Sequence, residues 1–322
     1  VYEMTPPQKK GGAWTEKVIY SFPTSKQGYV PWGDLVFDSA GNLYGATEYG
    51  GGSGTTCNPF YQYCGAVYEL STPKTKRGKW TEKVLYGFKG VAAGAQFGDG
   101  ANPRAGVVLD SKGNVYGTTF YGGNNQKGKC AGGSEGTGCG EVFELEPPTT
   151  KGGAWTKKTI YRFNSQDGAS PSAGVIFDSK GNLYGTAFAG LNQGNGGVFE
   201  LKKPFGSVRA WTEKVLYAFS GGNDGQNPTA KLVFDSSGNL YGPAEYAQDA
   251  AGTVFRLRPP GRKAGGWKFT RLYGFGNNPD GGHPAARLIF DTTGTLYSTT
   301  TDGGAGTGCS FRGCGTVFQL EP

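Results

Sequence analysis

One string recurs along this chain with little change of wording. It reads LVFDSAGNLYGAT from Leu35, VVLDSKGNVYGTT from Val107, VIFDSKGNLYGTA from Val175, LVFDSSGNLYGPA from Leu232 and LIFDTTGTLYSTT from Leu288. Its aspartates, Asp38, Asp110, Asp178, Asp235 and Asp291, step along the chain at intervals of roughly 56 to 72 residues. A second string, WTEKVIYSF at Trp14 to Phe22, returns from Trp80, Trp155, Trp211 and Trp267. A third, of the type V-aromatic-x-L, starts at Val67, Val142, Val198, Val254 and Val317, and a sixth copy, VYEM, occupies residues 1 to 4. The order never changes. A fold that accepts five such units must place each in an equivalent environment, which restricts the chain to a solenoid or a ring.

Each string is short, rich in β-branched and aromatic residues, and bounded by Gly, Pro, Asn or Asp, the pattern of a strand. We name the strands A and B (the two halves of the first string), C and D. The turn D-S-x-G-N between A and B uses residues that tolerate positive φ, so A and B form a tight hairpin. The 59 glycines and the 14% aromatic content suit many turns between aromatic-rich strands and do not suit helices. A solenoid needs atypical polar repeats at its ends, and none is present. The expected fold is therefore all-β: one domain over 1–322, a five-bladed β-propeller of four-stranded antiparallel blades near 34–88, 105–163, 173–219, 230–275 and 286–322. The fifth blade lacks its own D strand, so the N-terminal Trp14–Phe22 strand is expected to complete it, at 14–22, and to close the ring. That leaves VYEM as surplus. Val1, Tyr2, Glu3 and Met4, or Val317, Phe318, Gln319 and Leu320, are then candidate assembly strands. One copy lies outside, displaces the other, or is donated to a neighbouring molecule, which would build head-to-tail filaments.

The string G-N-L-Y-G-T-T, the glycine-rich stretch after it, G-x-V-F-x-L, L-Y-x-F and D-G-x-x-P together resemble the GloVer tandem repeats of bacterial exported proteins of the choice-of-anchor type. The A–B half is more loosely similar to NHL propellers. The resemblance covers essentially the whole chain. It implies export and a propeller-like repeat, and it implies no catalytic residues.

Chemistry divides between the two faces of such a disc. One carries the B–C and D–A loops, with all six cysteines. These fall into the close pairs Cys57–Cys64, Cys130–Cys139 and Cys309–Cys314. With one histidine in the chain and no CxxC spacing, disulfides in an oxidising compartment are expected, and the protein is placed outside the cell or at its surface. The D–A loops repeat Asp-Gly-x-x-Pro, with Asp99, Asp167, Asp224 and Asp280 as loop-pinning groups or shallow Ca²⁺ sites. No other cofactor is indicated. The opposite face carries the C–D loops, which together with their D strands hold 19 of the 32 lysines and arginines. Solubility and edge protection explain these, as does contact with an anionic surface polymer. Nucleic acid is not indicated, because the aromatics fall at repeated core positions. No apolar run is long enough to span a membrane.

Repetition also weighs catalysis. A group present in every blade is structural, whereas a catalytic group should break the pattern. His283 stands where other blades carry Val30, Asn102, Ser170 and Asn227, so it reads as one variant of a loop position. Pattern-breaking acids on the first face, Glu48, Glu135, Glu245 and Asp302, are what a polysaccharide hydrolase or lyase would use. Binding is better supported than turnover. Phe60, Tyr61 and Tyr63 lie in the first cysteine loop, CNPFYQYC, and Trp32, Tyr49, Tyr121 and Tyr246 share its face. These suit a lectin-like glycan site. The expected function is a non-catalytic structural or adhesive module that self-assembles, with carbohydrate binding as the alternative and a polysaccharide-active enzyme third.

Overall fold

The computed structural model of the chain describes residues 1–23, 26–51, 64–75, 78–91, 95–124, 130, 138–261, 265–276, 279–305 and 313–322, the side chain of Asn192 excepted. It is an all-β ring of five blades, a β-propeller. An N-terminal hairpin pairs β1 (Tyr2–Thr5) with β2 (Thr15–Val18). Blade one is β3 (Val36–Phe37), β4 (Leu43–Thr47), β5 (Ala66–Ser71) and β6 (Thr81–Gly87). Next, β7 (Phe97–Ala101) precedes blade two, which is β8 (Val108–Leu109), β9 (Val115–Thr119), β11 (Glu141–Glu146) and β12 (Thr156–Arg162). Between β9 and β11, β10 (Tyr121–Asn124) pairs with β7. Blade three is β13 (Ile176–Phe177), β14 (Leu183–Ala187), β15 (Gly197–Lys202) and β16 (Thr212–Ala218). Blade four is β17 (Val233–Phe234), β18 (Leu240–Ala244), β19 (Thr253–Arg258) and β20 (Lys268–Gly274). Blade five draws β21 (Ile289–Phe290), β22 (Leu296–Thr299) and β23 (Val317–Leu320) from the C-terminal end.

The repeated strings build the same contacts each time. In the A–B turn of blade one, Asp38 Oδ1 accepts from Ala40 N and Asn42 N, and Oδ2 accepts from Asn42 Nδ2. The phenylalanine that ends each D strand packs edge-on against the C strand of the next blade. The pairs are Phe22–Tyr68, Phe88–Phe143, Phe163–Phe199, Phe219–Phe255 and Phe275–Phe318, with ring centroids 5.0 to 5.3 Å apart. These contacts are edge-to-face, the favoured geometry for buried rings. In three of the seams both rings are 0% or 1% exposed, and in the other two one ring is, so the core runs as a chain of seams around the ring.

Phe22 sits before blade one as Phe275 sits before blade five, which puts the N-terminal D strand in the ring at the expected place. Its ladder partner is not the expected one. The D strand β2 pairs with β1, in the register Tyr2↔Val18, Glu3↔Lys17, Met4↔Glu16 and Thr5↔Thr15. That is the register of blade one, Tyr68↔Val84, Glu69↔Lys83, Leu70↔Glu82 and Ser71↔Thr81. The Val1 ammonium donates to Tyr20 O at 2.8 Å, and Ile19 N donates to Val1 O at 3.0 Å. VYEM has therefore taken the C place beside the D strand. β23 pairs with β22 alone among the described residues, and Val317 is 79% exposed. The first and last blades meet near the centre of the ring, where Arg287 Nη1 of blade five lies 3.4 Å from Asp34 Oδ2 of blade one.

Candidate binding site at the channel mouth

The B–C and D–A loops share one face. Within blades they meet by the bridges Tyr29↔Tyr49, Ala169↔Ala189, Gln226↔Tyr246 and Gly282↔Asp302. The C–D loops lie opposite with the A–B turns: Thr72 N donates to Asn42 Oδ1 and Lys203 N to Asn182 Oδ1, both at 3.0 Å.

The aspartates of Asp-Gly-x-x-Pro hold the D–A loops to the ends of the D strands. Asp99 Oδ2 accepts from Tyr86 OH at 3.0 Å and Lys89 N at 2.9 Å. Asp167 accepts from Tyr161 OH and Asn164 N, Asp224 from Tyr217 OH and Ser220 N, and Asp280 from Tyr273 OH and Gly276 N. Each of these carboxylates thus holds at least two protein donors. No group of three or more His, Cys, Asp or Glu arranged to hold a metal ion occurs among the described residues.

The residue before each loop proline takes left-handed φ: Val30 at 59°, Asn102 at 56°, Ser170 at 52°, Asn227 at 54° and His283 at 53°. Such strain persists only where the surroundings fix it. Here the fixing bond is visible. Asn102 N donates to Cys64 O, Ser170 N to Cys139 O, Asn227 N to Asn195 O and His283 N to Ala251 O, each reaching the preceding blade at 2.6 to 2.9 Å. The loops are thus tied blade to blade, and the residue after each proline is held in a ring around the channel mouth. That ring is Trp32, Arg104, Ser172, Thr229 and Ala285. Beside it, at the B-strand exits, runs a second ring: Glu48, Phe120, Phe188, Glu245 and Thr301.

On blades one and two these rings form a connected cluster. Trp32 Nε1 donates to Glu48 Oε2 at 2.6 Å. Arg104 Nε donates to Glu48 Oε1 at 2.7 Å, and its guanidinium lies 3.9 Å from the Phe120 ring centroid. Phe188 continues the apolar side, 6.1 Å from Phe120. Glu48 is 4% exposed and Trp32 is 67% exposed. The carboxylate is buried and fully paired, and the indole it holds faces solvent. On the far side, His283 packs edge-on against Tyr246 at 4.9 Å and lies 3.7 Å from Asp302.

The candidate aromatics therefore do not form equivalent sites. Tyr49 stacks on Tyr29 at 5.4 Å, Tyr121 lies in β10 beside Phe120, and Tyr246 meets His283. Trp32 and Tyr121 do come together, through Arg104, which is 5.6 Å from the Tyr121 ring. Phe60, Tyr61, Tyr63 and Glu135 lie outside the described residues. Cys130 and Cys139 form a disulfide with Cα atoms 5.0 Å apart. Cys64 and Cys314 are also disulfide-bonded, their expected partners Cys57 and Cys309 lying outside the described residues. Arg104 was not among the candidates the sequence offered. Its signal was available, since the equivalent residues are Trp32, Ser172, Thr229 and Ala285, none of them charged.

The repeat itself identifies the family, whose description matches residues 1–208, 54–262 and 129–322. The chain belongs to the Gloeobacter/Verrucomicrobia repeat family. None of the curated proteins matches it. Among solved structures it is similar in fold to a glucose dehydrogenase, at 16% identity and a TM-score of 0.50, covering 99% of this chain and 90% of that one. A gluconolactonase from Xanthomonas campestris aligns at 14% identity and a TM-score of 0.44, covering 89% and 71%. At these identities the likeness is one of fold. No helix among the described residues is long and apolar enough to cross a membrane.

Proposed function

We propose that this repeat propeller is a non-catalytic binding module of the extracellular space, and that its ligand is a saccharide seated at the channel mouth on Trp32. One observation carries the reading. The Trp32 indole is two-thirds exposed yet fixed at its Nε1 by a buried carboxylate, which is itself anchored by Arg104. An exposed aromatic face of fixed orientation, set on a disulfide-bearing loop face, is what a sugar ring needs for stacking. The pyranose C–H face covers the indole, and polar groups around the rim meet its hydroxyls. The cost of holding Trp32 in place is met before a ligand arrives, which favours affinity.

Binding rather than turnover is the reading because Glu48, the pattern-breaking acid nearest the indole, is committed to two donors. His283 and Asp302, 3.7 Å apart, are longer than a hydrogen bond. A glycan array tests the proposal. Retention of at least one glycan class by the wild type, lost in Trp32→Ala, supports it; an array blank for the wild type refutes it, and turnover of a bound glycan refutes the non-catalytic part.

The outer edge of β23, unpaired among the described residues, favours a second, compatible reading: self-association through strand pairing with another copy. Light scattering that grows with concentration and vanishes in Val317→Pro supports it. A monodisperse particle at every concentration rules it out.

A further inference from the structure

Two residues past the mouth ring, each inner strand places one residue at the channel axis: Asp34, Gly106, Gly174, Lys231 and Arg287. The assignment follows from alternation along an extended chain. Leu232 and Leu288, the next residues on blades four and five, are 1% and 0% exposed in the blade core, so Lys231 and Arg287 face the other way. On blades one to three the strands touch through their backbones. A Cβ on Gly106 would lie 2.3 Å from Asp34 O, and one on Gly174 would lie 2.6 Å from Gly106 O. Those two positions can only be glycine, and they leave the axis to three charged side chains.

These charges do not balance. Arg287 is paired with Asp34 at 3.4 Å. Lys231 makes no hydrogen bond or ion pair with any described residue. Burial holds its amine below the usual lysine range, with Asp34 opposing that shift and Arg287 adding to it. Lys231 is half-buried, and a cation partly withdrawn from water without a partner is costly unless something supplies the missing charge. Nothing in the seams needs a lysine here: blades two and three do without any side chain at this position.

We propose that the channel is an anion site, in which Lys231 and Arg287 receive the carboxylate or sulfate group of an acidic saccharide. This rests on the reading of the mouth as a saccharide site. Trp32 and Asp34 flank the bend at Gly33, so on blade one the mouth ring adjoins the charged axis. A ring lying on Trp32 can therefore direct its acidic substituent down the axis to the Lys231 ammonium. One added negative charge brings the axis from two cations and one anion to neutrality. Neutral parents of the same glycans fill the mouth and leave the channel charge unmet.

The test compares uronate-bearing and sulfated glycans with their neutral parents on an array. A thermal-shift series in sodium sulfate, at fixed ionic strength set with sodium chloride, runs beside it. The proteins are wild type, Lys231→Met, Lys231→Gln and Trp32→Ala, each confirmed folded by its cooperative melt. The wild type is expected to retain acidic glycans at least tenfold more strongly than neutral ones. Either Lys231 variant removes that preference and keeps neutral binding, while Trp32→Ala loses both classes. Sulfate raises the melting temperature of the wild type and not of the Lys231 variants. A preference for acidic glycans that persists in both Lys231 variants overturns the inference, as does a wild type that binds neutral and acidic glycans equally. In that last case the mouth reading survives alone. A Lys231-dependent sulfate effect with an array blank for the wild type does the reverse: the anion site stands and the saccharide reading falls.

Discussion

Two neighbouring seams solve the same geometric problem with opposite chemistry. In each, the D–A aspartate of one blade faces the third residue of the next D string, Trp-Thr-x. Between blades one and two that residue is Lys157. Its ammonium bridges Asp99, at 2.5 Å, and Glu141, a carboxylate with no exposed surface. Burial pushes the Glu141 carboxyl up, and the Lys157 ammonium pulls against it. Between blades two and three the residue is Glu213. It feels the like charge of Asp167, and its Oε1 is buried without a hydrogen-bond partner among the described residues. Burial, with Asp167 adding to it, pushes Glu213 up to about 7. A third answer appears between blades three and four, where Phe269 stacks on Tyr217 at 4.5 Å. The fold therefore does not require charge at this position. The aromatic contacts beneath hold each seam, and the residue above them sets how the seam responds to mutation and to pH.

The comparison breaks most visibly at Lys157. Lys157→Met leaves Glu141 buried with its charge uncompensated, and a loss of about 3 to 5 kcal/mol is expected in denaturant unfolding. The double variant Glu141→Thr with Lys157→Phe copies blade four, where Thr253 and Phe269 hold these places, and should recover most of that loss. Failure to recover would mean that the ion pair itself, and not the shape of the seam, stabilises this junction.

The second seam should respond in the opposite direction. Glu213 is an acid whose pKa is raised in the folded state, so the folded protein binds the extra proton. The penalty is absent below pH about 4.5, grows as pH rises towards 7, and is constant above it. Allowing for partial solvent access, it amounts to about 1 to 2 kcal/mol. Glu213→Gln should stabilise the protein by that amount at pH 8 and by almost nothing at pH 4, read from melts at the two values. Equal effects at both would remove the titration from the account. A smaller change is expected for Tyr161→Phe, which deletes the 2.6 Å hydrogen bond to Asp167. Its cost is about 1 kcal/mol, and Tyr86→Phe, whose partner Asp99 also has Lys157, should cost less.

Much of this was written in the repeat. The five strings fixed strand order, blade number, the turn aspartates and the sharing of one face by the B–C and D–A loops. The pairing of VYEM was not legible, because it and Val317–Leu320 are interchangeable as C strands. Proximity decides: β1 and β2 close a short hairpin, whereas pairing β2 with β23 joins the chain ends, and loop closure grows costlier with length. The channel and mouth groups were partly legible. The pattern-break criterion, applied to strands as well as loops, picks out Glu141 among Ala66, Gly197, Thr253 and Thr316, and Arg104, Lys231 and Arg287 likewise. What it cannot supply is which of these meet, since Trp32, Glu48 and Arg104 converge only when two blades are docked side by side.

The central claim is that the mouth of the ring binds through a preset indole. Isothermal titration calorimetry with an array-selected glycan, on wild type, Trp32→Ala and Trp32→Phe, tests it most directly. The account predicts binding weakened at least tenfold in Trp32→Ala, partly kept in Trp32→Phe, with all three proteins melting within a few degrees of one another. An affinity unchanged by Trp32→Ala would contradict it.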